Sequence, residues 1–349
     1  MPAGVRYSAI MGRTIVVDHY DDPRAASRAG WDAVAGNGDT PVFYQDGYLS
    51  AYHDAPLAPL ERLGYLVARE PSGRPVAVLP VALHRFADPI GGLRRLHPGI
   101  ERDSALLSHV WHCYDTQLLG AVTRTDVVTE LLDTLRRLAD DWRARWYGLV
   151  NVDSSGPTAT ALTAAGLTGR HLVDRYSTDL TGLNSYEDYL ARLAPRPRAN
   201  LRRNERRAAD AGFVCDVTTP EGADLVEIAE LCDRTAARFG NAGFYPTETF
   251  TRFVTALGPA AHVLRIRQRG TLVAAGVCLT DQRRFHTWTC GVEYRVDGNA
   301  SPYAALFAES VRLALRLGRP ILEGGRSNDV FKRRHGLTAR RLDAYVMRL

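Results

Sequence analysis

The stretch that decides the reading is Ile321–Leu349, ILEGGRSNDVFKRRHGLTARRLDAYVMRL. It divides into strand, short helix and strand. Ile321-Leu322-Glu323 is a short apolar strand ending in a carboxylate, and Gly324-Gly325 is expected to break it. Ser327, Asn328 and Asp329 all suit a helix N-cap. Val330 to Arg334 is too short to hold a helix without packing. It carries Lys332, Arg333 and Arg334, with His335 next, and should stop at Gly336 as at a C′ glycine. Leu342 to Leu349 alternates loosely, as a closing strand. Cations on one turn beside a strand-end carboxylate suit a site that binds phosphate or polarises a carbonyl. A solvated basic turn gives the same pattern, and from this stretch alone both stay open.

Working outward, 349 residues suggest two domains. A hydrophobic fraction of 45% and a charged fraction of 24% are ordinary for a globular protein with a full core in each half. The net charge of +5, mostly arginine, favours anionic partners such as nucleic acid, phosphate or coenzyme without naming one. The five cysteines (Cys113, Cys215, Cys232, Cys278, Cys290) show no paired spacing and read as reduced and buried. No apolar run reaches the ~18 residues of a membrane span, so no membrane partner is expected. The N-terminus lacks the apolar core of a signal peptide. The expected location is the cytoplasm.

In the first half, Thr14–Val17 reads as a strand, Asp21–Ala35 as one helix, and Pro41–His53 as another with four aromatics on one side. Leu63–Arg69 and Pro75–His84 flank a turn, Glu70-Pro71-Ser72-Gly73-Arg74, and form a hairpin. The segment 90–104 reads as irregular. Thr125–Arg145 is a long amphipathic helix, followed by strand Trp146–Val152, a short helix Ala159–Ala165 and strand Leu172–Leu180. His109, His112, Cys113 and Asp115 bring three metal-ligand types within seven residues. A second pair of spaced ligands is absent, so no metal is expected. These groups read as cleft-lining or core.

In the second half, Ser185 opens a short helix. Pro195–Arg207 follows, in which Arg198, Arg202 and Arg206 are spaced by four to form a basic ridge. Arginine at the start of that helix opposes its macrodipole, which a bound phosphate would offset. A solvated charged face partly balanced by Glu205 and Asp210 is the plainer alternative. Then come strand Phe213–Val217, helices Gly222–Phe239 and Pro246–Leu257, and three consecutive strands, His262–Arg267, Leu272–Thr280 and Arg284–Cys290, as an antiparallel meander. The loop after it, with Arg295, Gly298 and Ala300, fits R-x-x-G-x-A and leads into helix Ala300–Leu317. Its glycine lets backbone amides approach an anion.

This order of elements, with a basic loop before the helix that follows the meander, resembles the GNAT acyltransferase fold. The first half repeats it in degraded form. The chain is therefore expected to be α/β, with two tandem GNAT domains built on mixed, mostly antiparallel sheets flanked by helices. The expected divisions are an N-terminal tail 1–13, a degenerate domain 14–175 and a catalytic domain 176–349. Such a tandem resembles the Fem-type peptidoglycan aminoacyltransferases and the related acetyltransferase 6 group. The matching residues are Arg198-Ala-Asn-Leu-Arg202 before Gly212, Ser301-Pro302, and Phe331-Lys332-Arg333-Arg334-His335-Gly336.

The resemblance implies transfer of an acyl group to an amine, from aminoacyl-tRNA in the Fem type. Lys332 would stabilise negative charge at the reacting carbonyl, and Arg198, Arg202 and Arg334 would meet phosphates. The long helical arm of some Fem proteins is absent between the basic helix and Phe213, which turns the expectation toward small natural-product amines as well as cell-wall precursors. Glu323 is the candidate general base, or a surface carboxylate paired with Arg326 or Lys332. Trp288 and Tyr303 are candidates to line the acyl pocket, or core aromatics. No tightly bound cofactor is expected. Two other readings stand beside this one: an acetyl-CoA-dependent N-acetyltransferase using the Arg295–Ala300 loop for pyrophosphate, and a nucleic-acid-binding module without turnover.

Overall fold

The computed structural model describes residues 5–6, 15–36, 38–85, 91–108, 112–113 and 115–349. In chain order the strands are β1 (Val5–Arg6), β2 (Val16–Tyr20), β3 (Leu60–Arg69), β4 (Pro75–Arg85), β5 (Ser104–Leu107), β6 (Leu119–Gly120), β7 (Trp146–Asp153), β8 (Arg170–Asp179), β9 (Phe213–Thr218), β10 (Ala261–Gln268), β11 (Thr271–Thr280), β12 (Arg284–Val292), β13 (Ile321–Arg326) and β14 (Thr338–Arg348). The helices are α1 (Pro23–Arg28), α2 (Trp31–Ala35), α3 (Asp46–Asp54), α4 (Gly92–Leu96), α5 (Thr125–Asp141), α6 (Pro157–Ala164), α7 (Tyr186–Arg192), α8 (Pro195–Asp210), α9 (Leu225–Ala237), α10 (Thr247–Ala256), α11 (Pro302–Arg316) and α12 (Asp329–Arg334).

The chain forms two compact units, residues 1–174 with 340–349, and residues 175–339. The first carries strands in the order β1-β2-β3-β4-β5-β7-β14. All neighbours are antiparallel except β5 and β7. Its core is the apolar face of α5, with Val128, Leu131, Leu135 and Leu138 buried against Leu66, Leu79 and Leu149. β5 lies at the end of the segment expected to be irregular. Glycines and arginines dominate the residues before it, and its four residues are held as a strand by β4 and β7 rather than by local propensity. The Asp21–Ala35 helix is two helices, broken at Gly30, which takes a φ of +95°. The Pro41–His53 helix is a 3₁₀ turn, Val42–Tyr44, followed by α3.

The second unit carries β9-β10-β11-β12-β13-β8, antiparallel except for β12 and β13. Helices cover both sheet faces. On β12, Cys290 and Val292 pack toward the cluster that holds α7, α8 and α11, whereas Gly291 meets the backbone of α9. Local chemistry starts the helices as expected. Ser185 and Asp188 form a capping box on α7, and Ser301 caps α11 ahead of Pro302.

The parallel pair is short. Arg284, Phe285 and His286 pair with Ile321, Leu322 and Glu323, and no further pairing joins β12 to β13. At that point each strand bulges. Two steps of β11, Val277 to Leu279, oppose three of β12, His286 to Thr289. On the other side, one step of β8, Ser177 to Tyr176, opposes Glu323 to Gly325. An extra residue bends a strand and raises its twist, so two bulges facing one another split the sheet. Gly324-Gly325 therefore does not end the strand as expected but bends it, with Gly325 at a φ of +70° and the strand continuing to Arg326. A side chain at Gly324 would collide with Leu337.

A Cβ at Gly291 would lie 2.6 Å from the Cys232 backbone nitrogen. Gly291→Ala is expected to force α9 off β12 and to lower stability by about 1–3 kcal/mol, read by urea unfolding. An unchanged midpoint would show that the contact yields freely.

Candidate active site

Lys332 is the only lysine among the 44 basic residues of the chain. It sits on α12, yet is 4% exposed. Its Nζ donates to the Arg326 carbonyl oxygen at 2.5 Å and lies 5.5 Å from the centre of the Tyr176 ring. Burial pulls its pKa down to about 8, with the Cys290 thiol acting to raise it and Arg326 to lower it further. The ammonium thus sits at the end of β13, beyond the point where β12 and β13 part. In a chain that uses arginine everywhere else, a compact cation able to release its proton marks this position.

The short helix is held by packing. Phe331 meets Tyr303 and Phe307 of α11 with ring centroids 4.9 and 5.3 Å apart. The buried His335 ring places Nδ1 2.8 Å from the Phe331 carbonyl and Nε2 3.3 Å from Asn200 Oδ1 on α8. Burial lowers the His335 pKa. Asn328 occupies the N-cap at a φ of +51° and its side chain makes no hydrogen bond to the helix, which corrects the expectation of side-chain capping. Gly336 ends the segment at a φ of +90°, as expected. Tyr245 and Thr289 approach the split from the α9–α10 face, and Cys290 from the α11 face. Burial raises the pKa of both the Tyr245 phenol and the Cys290 thiol.

Residues 195–333 match the family model described as Acetyltransferase (GNAT) domain. The second unit is a GNAT acyltransferase domain. Among solved structures, the chain is similar to FemX at 11% identity and a TM-score of 0.63, covering 90% of this chain and 95% of that one. It is similar to a tandem GNAT protein from the clavulanic acid biosynthesis pathway at 15% identity and a TM-score of 0.56, covering 95% and 98%. L-PGS from Bacillus licheniformis matches at 14% identity and a TM-score of 0.56, covering 97% and 93%. No curated protein matches the chain in sequence. The fold is that of a Fem-like tandem GNAT protein, and the chain is an enzyme of the transferase class.

Within the GNAT domain, Lys332 and Tyr303 come together through Phe331. Glu323 is the last residue of the parallel pair. It is 2% exposed, with one carboxylate oxygen 4.0 Å from Arg175 and the other without a hydrogen-bond partner. It is therefore no surface carboxylate. Trp288 is 8% exposed and stacks against Phe250, with Phe253 and Tyr245 around it, so it backs the site from the α10 side. Arg198 is half-buried on α8, and Arg202 is exposed and bonded to Glu187 at 2.5 Å. Arg334 is exposed on α12. Arg295, Gly298 and Ala300 lie in the β12–α11 loop, where Gly298 takes a φ of +75°. Sequence reading missed Tyr176 and Tyr245, named Arg326 only as a partner for Glu323, and gave Asn200 no role of its own. The single lysine was its available signal for the centre of the site.

The first unit repeats a parallel pair, Ala105–Leu107 with Trp146–Gly148, but there pairing resumes at a bridge between Thr116 and Val152. The residues around it are buried. Tyr48 donates to the His112 carbonyl at 3.2 Å, and Asn151 donates to that of Cys113 at 3.1 Å. Of the sequence cluster, His109 lies outside the described residues; His112, Cys113 and Asp115 are core. Among the described residues no group of three His, Cys, Asp or Glu could hold a metal ion. No described helix is long and apolar enough to cross a membrane.

A lysine with a folded pKa of about 8 against an ordinary 10.5 opposes folding below pH 8, and that opposition is relieved between about 8 and 10.5. At ~1.4 kcal/mol per pH unit, less the lost hydrogen bond to Arg326, Lys332→Met is expected to be more stable than the parent by about 1–2 kcal/mol at pH 7. The gain should vanish near pH 10.5. Lysine-selective NMR should show one side-chain signal titrating near 8. A signal titrating at the ordinary 10.5 would place the ammonium in water.

Proposed function

We propose that the GNAT domain transfers an aminoacyl group from aminoacyl-tRNA to the amine of a small-molecule acceptor. The observation that carries this reading is the sole lysine, buried beyond the point where β12 and β13 part. The acceptor amine attacks the ester carbonyl, negative charge develops on the carbonyl oxygen, and Lys332 is the cation placed to stabilise it. Such donors contribute about 3–4 kcal/mol. Glu323, with its unpartnered oxygen, takes the proton released by the amine. The tetrahedral centre then collapses, the amide forms, and the ribose oxygen leaves with a proton. The ester is already activated, so holding amine and carbonyl together supplies much of the remainder, about 7–11 kcal/mol.

The donor choice rests on the β12–α11 loop. The Arg295 amide donates to Glu293 at 3.0 Å, the Asp297 amide to Gln268 at 3.2 Å, and the Ala304 amide to Ser301 at 3.2 Å. Pro302 has no N–H. Amides already bound within the protein are poorly suited to cradle a pyrophosphate. By contrast α8 and α12 expose Arg202, Arg203, Arg206, Arg207 and Arg334, a spread of cations suited to an RNA backbone. The Fem-type resemblance points the same way. Acetyl-CoA remains the second reading, favoured by the left-handed Gly298 in that loop.

Purified protein, a panel of amines and either charged tRNA or acetyl-CoA should give turnover with charged tRNA. Turnover with acetyl-CoA alone would replace the donor. Lys332→Ala should lose about 10²–10³ in kcat without loss of fold; full activity would end the role given to the lysine. Because the cation is the working form, kcat should fall as pH rises through about 8. Lys332→Arg should shift that limb upward.

A further inference from the structure

We propose that Arg238 and Tyr294, at the open end of the split, form a stacking platform for the terminal base of an RNA donor. This rests on the donor reading above. The end of α9 is tied to the end of β12 by Thr235, whose hydroxyl accepts from the Val292 amide at 2.9 Å and donates to the Val292 carbonyl at 3.3 Å. That tie brings Arg238, the residue closing α9, over the Tyr294 ring, with its guanidinium carbon 4.0 Å from the ring centre. Tyr294 is 46% exposed, and Phe239, next to Arg238, is 72% exposed. Among the described residues no carboxylate pairs with Arg238.

An arginine stacked on an open aromatic ring without a counter-anion is complementary to a nucleobase with its phosphate. Bases stack on aromatic and guanidinium planes whatever their identity. The placement also fits. Tyr294 stands two residues past the end of β12, and Tyr303 meets Phe331, the neighbour of Lys332 on α12. In an aminoacyl ester, base and carbonyl are separated by one ribose. A base platform therefore belongs beside the split rather than within it.

The test uses a chemically aminoacylated minihelix RNA, with its terminal base present or replaced by an abasic ribose. In the parent protein, removing the base should raise KM for the RNA about tenfold and leave KM for the amine unchanged. Tyr294→Ala should raise KM equally for intact RNA, with no further rise on the abasic RNA. Tyr294→Phe should behave as the parent, and Phe239→Ser should give a smaller rise. If the parent accepts both RNAs equally, or if Tyr294→Ala raises KM for the amine instead, the platform is wrong while the donor reading survives. If the parent uses acetyl-CoA and neither RNA, both fall together.

Discussion

The GNAT domain depends on a sheet that is made to come apart at one place. Parallel pairing between β12 and β13 lasts three residues and ends at His286 and Glu323. A bulge on each strand at that point turns the two away from one another. Neither strand can close the gap, because each has one residue more than its outer neighbour requires. What the sheet loses in ladder hydrogen bonds becomes space between two strand ends. The Thr287 hydroxyl holds the closed end by donating to the Glu323 carbonyl at 3.1 Å. Both residues therefore help fix where the split starts.

Into that gap the chain sets a lysine rather than another arginine. An arginine would stay charged at any working pH and would hold a carboxylate or phosphate with a rigid fork. A buried ammonium is less stable, and burial brings its pKa down to about 8. The cost is borne by a six-residue helix that has little stability of its own. Phe331 and His335 supply the packing, one against α11 and the other against Asn200 on α8. The basic helix thus supports the site mechanically, and its exposed arginines extend the cationic surface outward.

The first unit shows the same topology without the opening. Its parallel pair resumes at Thr116 and Val152, and the side chains of Tyr48 and Asn151 donate to the carbonyls of His112 and Cys113. Beside it the buried hydroxyls of Ser108 and Thr116 hydrogen-bond to one another. The contrast shows that one strand order can be built with or without a lasting gap between its parallel strands, and that the bulges decide which.

Much of this was legible in the chain itself. Apolar periodicity gave α5 and α9, Pro302 marked the start of α11, turn chemistry gave the β3–β4 hairpin, and the meander β10–β12 followed from three apolar runs with short polar joints. These are local signals, set by burial on one face or two. Lys332 and Glu323 also stood out, one inside a cationic turn and the other at a strand end. What the sequence did not contain was the partnership between distant segments. Tyr176 and Tyr245 reach the split from two other places in the chain, and nothing near them in sequence records it. Gly324-Gly325 reads as a terminator, since a glycine pair alone carries the same freedom whether a strand stops or bends. Only the registers against β8 and β12 decide between those, because a bulge is a mismatch between neighbours and exists once both are in place.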